Sequence, residues 1–60
     1  MSDEEKDEIV SMFEAILDDD DGVNENAFNE MNNFGRKLNY EPMTELLNHV
    51  DATDGRFYLK

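Results

Sequence analysis

The side chains that could do chemistry in this sequence are carboxylates. Asp3, Glu4, Glu5, Asp7, Glu8, Glu14 and the run Asp18-Asp19-Asp20-Asp21 all fall within the first 21 residues, with Lys6 the only base among them. Paired carboxylates can act as general acid and base, but the acid needs an apolar pocket that raises its pKa. A chain of 60 residues has little room for one. His49 is the sole histidine, and there is no cysteine to pair with it. Near the end of a helix it reads as a helix-end cation or spacer, not as a catalyst. No phosphate loop, nucleophile elbow or zinc-ligand spacing is present. The expectation is a protein that is not an enzyme, with no cofactor and no metal centre.

The same carboxylates can bind. The net charge is −11. Residues 1–30 hold twelve acids and one base, which already accounts for all of it. Residues 31–60 hold Glu41, Glu45, Asp51 and Asp54 against Arg36, Lys37, Arg56 and Lys60 and are neutral. A one-sided field of this sign repels nucleic acid and anionic membranes and speeds encounter with basic surfaces. The chain length corresponds to one small domain, residues 1–60. Such a domain has marginal stability unless something staples it, and without cysteine a disulfide cannot. No apolar run approaches the roughly 18 residues of a membrane span. The acidic N-terminus is unlike a signal peptide. A cytoplasmic protein is therefore expected, in the host cytoplasm if the chain is viral.

The acids need helices to carry them. Ser2 and Glu5 have the spacing of a capping box. Asp3, Glu4 and Glu5 then fall in the first turn, where the helix dipole favours negative charge. Ile9, Met12, Phe13, Ile16 and Leu17 recur at three and four residues, the helical period. Gly22 stops this first helix after the aspartate run. Asn24 caps a second, with Ala27, Phe28, Met31, Phe34 and Leu38 as its inward stripe. Gly35 on that stripe costs about 1 kcal/mol against alanine, and close approach of another helix would explain it. Pro42 opens a third helix with Met43, Leu46, Leu47 and Val50 inward. Asp51 to Gly55 reads as a turn. Arg56 to Lys60 reads as one extended segment, Phe57 and Leu59 inward, lying across the helices or adding to a partner's sheet edge.

The predicted fold class is therefore all-α: a compact three-helix domain with a short C-terminal extended segment. Ile9, Phe13, Ile16, Phe28, Met31, Phe34, Leu46 and Leu47 form the expected core. Met12, Met43, Tyr40 and Tyr58 are the apolar side chains expected at the surface, since methionine and tyrosine are favoured in interfaces.

Two resemblances follow from these residues. Phe13 through Asp21-Gly22, and Leu47 through Asp51-Ala52-Thr53-Asp54-Gly55, resemble the two halves of an EF-hand pair. That motif needs oxygen ligands at loop positions one, three and five, glycine at six and glutamate at twelve. With Gly22 at position six, Leu17 takes position one and Phe28 position twelve, and neither chelates. The resemblance thus implies a degenerate module that grips a target helix through an apolar groove lined by Met12, Met31 and Met43. The second resemblance is one of size and charge, to the small acidic inhibitors of phages, including anti-restriction and anti-CRISPR proteins. It implies an acidic face that stands in for nucleic-acid phosphates. A helix over residues 3–21 would span about 28 Å at 1.5 Å per residue. Its nine net charges come to one per roughly 3 Å, within twofold of the one per about 1.7 Å of B-DNA.

The sequence thus predicts an inhibitor of a nucleic-acid-binding protein. Asp18, Asp19, Asp20 and Asp21 carry most of the effect, and Asp3, Glu4, Asp7, Glu8, Glu14 and Glu25 extend the footprint. The expected partner is a basic nucleic-acid-binding protein or complex; direct nucleic-acid or membrane binding is not expected, and homodimerisation stays open. The groove-type helix binder is the second reading, and a chaperone of basic proteins a third.

Overall fold

Residues 2–59 are described by the computed structural model; Lys60, included in the extended segment above, lies outside them. The elements run α1 (Asp3–Leu17), β1 (Val23–Asn24), α2 (Glu25–Lys37), α3 (Glu41–Asn48), β2 (Val50–Thr53) and β3 (Arg56–Leu59). The three strands form one antiparallel sheet in the order β1-β3-β2. The all-α expectation is therefore wrong: the domain is mostly helical, but a three-stranded sheet closes one side of it.

The missing strand pairing comes from a two-residue turn. Thr53 faces Arg56 across the β2–β3 hairpin. Asp54 and Gly55, the two residues between them, have φ values of 53° and 76°. Positive φ at both positions is the requirement of a type I′ turn, whose twist matches that of the flanking strands, and Asp-Gly is among its preferred sequences. So only Asp54 and Gly55 turn, and Asp51, Ala52 and Thr53 are strand. The extended segment does not lie alone across the helices, nor is it left free for a partner. It is the central strand, flanked by β2 on one side and by Val23 and Asn24 on the other.

The helix boundaries follow the caps. Ser2 Oγ accepts from the Glu5 N–H at 3.3 Å, and Asn24 Oδ1 accepts from the Ala27 N–H at 2.7 Å. Pro42 lies in the first turn of α3, as its fixed φ suits. α2 and α3 are joined by Leu38, Asn39 and Tyr40, with Asn39 at φ 50° ending the first of the pair. In turn length this pair matches a helix-turn-helix, and the β2–β3 hairpin follows it in the chain. α1 does not extend to residue 21: it stops at Leu17, and the aspartate run forms the loop that leads to β1.

Phe13, Leu17, Val23, Met43, Leu46 and Leu47 are the buried apolar residues. Ile9, Val10, Phe28, Met31, Leu38, Tyr40 and Leu59 are partly buried and pack against the cluster of Phe13, Met43, Leu46 and Leu47. Two expected core residues, Ile16 and Phe34, are instead 43% and 45% exposed. Met43, expected at the surface, is fully buried. Gly35 explains the exchange at Met43. A Cβ on Gly35 would lie 2.9 Å from Met43 Cγ and 2.8 Å from Leu47 Cδ1. The glycine therefore opens a recess in α2, and the flexible thioether chain of α3 fills it. Phe57 and Leu59 do turn inward. The Phe57 ring stacks on Phe28 with centroids 4.4 Å apart and planes 2° from parallel, and Leu59 packs on the core.

Candidate partner-binding surface

The aspartate loop is built on backbone bonds. The Asp18 N–H donates to the Glu14 carbonyl at 2.9 Å, closing the last turn of α1. Asp19 Oδ1 accepts from the Asp21 N–H, and the Asp19 carbonyl accepts from the Gly22 N–H, each at 2.9 Å. From the other side, Arg56 Nε donates to the Asp21 carbonyl at 2.8 Å and its Nη2 to the Gly22 carbonyl at 3.4 Å. Gly22 has φ 62°, and a Cβ there would meet the Phe57 carbonyl and, at 2.8 Å, the Tyr58 ring. The loop is thus tied to β3. Its four carboxyl-bearing residues are all exposed, and of their side chains Asp19 is the one bonded within the loop.

On α1, Asp3, Glu4, Asp7, Glu8 and Glu14 are exposed, and Glu25 is exposed in the first turn of α2. Asp3, Asp7 and Glu14 are four and seven residues apart and share one helical line. That line runs beside α3. Asp7 is not wholly available to a partner, because Tyr40, which precedes α3, donates its hydroxyl to the Asp7 carboxylate. The bond, with smaller contributions from burial and from the charges of Asp7 and Asp3, holds the Tyr40 hydroxyl protonated and pushes its pKa up to about 12. Lys6 lies over the same ring, its Nζ 5.4 Å from the centroid. Sequence spacing gave no signal of this cluster, because it joins residues 33 positions apart.

Three further features were not anticipated. Arg56 anchors the aspartate loop by its backbone rather than by its charges. A cleft of about 360 Å³ opens between α1, α3 and β3, lined by Val10, Glu14, Pro42, Glu45, Leu46, His49 and Leu59. His49 and Glu45 therefore share a cavity with Glu14, which no pattern in the sequence linked to them. Against expectation, Ile16 of α1 and Phe34 of α2 are exposed, in addition to Met12, which was expected at the surface and is 53% exposed one turn before Ile16. Phe34 rests against Phe13 with ring centroids 6.0 Å apart. Among the described residues, no three acids or histidines are grouped to hold a metal ion. No helix there is long and apolar enough to cross a membrane.

No protein-family model matches the chain, and neither does any curated protein or solved structure.

Proposed function

We propose that this chain is a non-enzymatic inhibitor of a nucleic-acid-binding protein, engaging the partner's basic surface with acids that stand in for phosphates. The observation that carries this reading is the aspartate loop. Four consecutive acidic residues sit on a backbone fixed at both ends, by α1 and by Arg56 of β3. A charged loop ordered before binding loses little entropy on association, so more of its electrostatic attraction appears as affinity. Glu25 follows directly after β1, and Glu4 and Glu8 extend the charge along the outside of α1.

The acids exposed on α3 speak against DNA itself as the partner. A helix-turn-helix that reads DNA lays the start of its second helix against the bases. Here that helix exposes Glu41 and Glu45, which repel phosphate.

A second reading, that of a helix-binding module, is favoured by the exposed Met12, Ile16 and Phe34. Its original determinants change, since Met43 is buried and cannot touch a partner. The two readings separate in one experiment. Immobilised protein is used to capture proteins from a nucleic-acid-binding fraction, and the bound material is challenged with duplex DNA and with single-stranded RNA. Release by nucleic acid is expected for the mimic. Retention against nucleic acid, with loss on Met12→Ser and Phe34→Ser, would favour the apolar surface instead.

A further inference from the structure

The cleft between α1, α3 and β3 has two chemically different parts. Its inner wall is hydrocarbon: Leu46 is buried, and Val10 and Leu59 are half-buried. Pro42 adds apolar surface at the edge. Its rim carries exposed carboxylates from two elements, Glu14 from α1 and Glu45 from α3, with His49 at the mouth. At about 360 Å³ the space is at the small end of ligand pockets, large enough for one long side chain. An apolar trough with two carboxylates at its edge is unsuited to an anion, and a neutral aliphatic group would leave those carboxylates unpaired. Arginine and lysine side chains have the complementary construction, with a hydrocarbon stem that packs on apolar surface and a cationic head that stays at the rim.

We infer that this cleft seats one arginine or lysine side chain of the basic partner, its stem on Val10, Leu46 and Leu59 and its head between Glu14 and Glu45. The inference rests on the partner being basic, as proposed above, and adds a specific socket to a surface otherwise read by charge alone. Asp3 and Asp7, on the helical line of Glu14, and Glu41, one turn before Glu45, extend negative charge away from the cleft along both helices. The socket therefore lies inside the attractive field, so a basic segment drawn in by that field meets it.

The test uses short unstructured peptides with one central arginine, lysine, citrulline or norleucine, titrated into the whole protein and followed by backbone amide chemical shifts. The arginine and lysine peptides are expected to move the amides of Val10, Glu14, Leu46, His49 and Leu59 saturably. The norleucine peptide has a stem without charge and the citrulline peptide a near-isosteric neutral head; both are expected to bind at least about fivefold more weakly. The paired substitution Glu14→Gln and Glu45→Gln, at exposed positions that leave the core intact, is expected to weaken the arginine peptide about fivefold, as loss of two rim ion pairs would. Shifts confined to Asp18–Asp21, or norleucine binding as well as arginine, would overturn the socket. The first of those results would leave the proposed charge-reading surface standing. Loss of peptide binding on Asp18–Asp21→Asn with the Gln pair unaffected would likewise remove the socket and keep that surface.

Discussion

Gly22 carries two constraints at one residue. Its positive φ disfavours any side chain, and its Cα faces the Phe57 carbonyl and the Tyr58 ring. Left-handed backbone alone costs a non-glycine residue about 1–2 kcal/mol, and the clash adds to it. Gly22→Ala is expected to lower stability by about 3 kcal/mol and to loosen the loop that presents the aspartates. Gly55 is the internal comparison: its φ is 76°, but a Cβ there meets nothing within 4 Å. Gly55→Ala should therefore cost only the backbone share, and chemical denaturation of the two variants separates strain from collision. An equal loss in both would mean that the Tyr58 contact is unimportant. Tyr40 supplies a second residue-scale prediction. Its raised pKa means that the Asp7 bond stabilises the fold fully below the ordinary tyrosine value of 10.0, and that this contribution is lost as pH rises toward about 12. Ultraviolet titration should find Tyr40 ionising late, and Asp7→Asn should bring its pKa back toward 10.0. A Tyr40 titration that Asp7→Asn leaves unchanged would contradict the hydrogen bond.

At the scale of elements, the helices were legible in the sequence and the sheet was not. Asn24 and Pro42 are local signals and each sits where the sequence put it, because caps act within one turn. The three-four spacing holds within the helices but overran the third, since Val50, expected on its inward stripe, begins β2 after α3 stops at Asn48. Gly35 was also legible: the close helix approach it implied is the α2–α3 contact. The aspartate run continues the helical stretch in sequence, because charge gives no boundary by itself; the loop geometry depends on Arg56, 35 residues from Asp21. The hairpin was lost because Asp51 and Thr53 are turn-forming types, which hid a two-residue Asp-Gly turn inside a five-residue one. Exposure was the least legible property. Ile16 and Phe34 obey the helical period yet stay half out of the core, since periodicity fixes a face and not the depth to which it is buried. Two substitutions test the packing. Gly35→Ala gains about 1 kcal/mol in helix propensity but forces methyl carbon onto Met43 and Leu47, so a net loss of about 1 kcal/mol is expected from thermal melts. Phe28 is half-buried and stacked on Phe57, so Phe28→Ala is expected to cost about 2–3 kcal/mol, below the 3–5 kcal/mol of a fully buried phenylalanine.

Over the whole molecule, the fold divides into a neutral C-terminal half that supplies α3 and the hairpin and an acidic N-terminal half that supplies the charge. The two halves meet at the start of α3, where Tyr40 bonds Asp7, and at the hairpin, where Arg56 of β3 holds the aspartate loop by two carbonyls. Binding and stability should therefore pull in opposite directions at residues 18–21. Changing Asp18, Asp19, Asp20 and Asp21 to asparagine removes like charges clustered at the C-terminal end of α1, where the helix dipole disfavours them. Asparagine keeps a side-chain oxygen at position 19, so the bond from the Asp21 N–H survives. The free protein is expected to gain about 1 kcal/mol.

The most direct test is the association rate of that variant and of the unaltered protein with a captured nucleic-acid-binding partner, measured at low and high salt. A charge-reading surface predicts a fast rate for the unaltered protein that falls steeply as salt rises, and a slower, flatter response for the asparagine variant. Equal association rates for the two proteins at both salt concentrations would contradict phosphate mimicry and leave the aspartate loop as a solubilising surface.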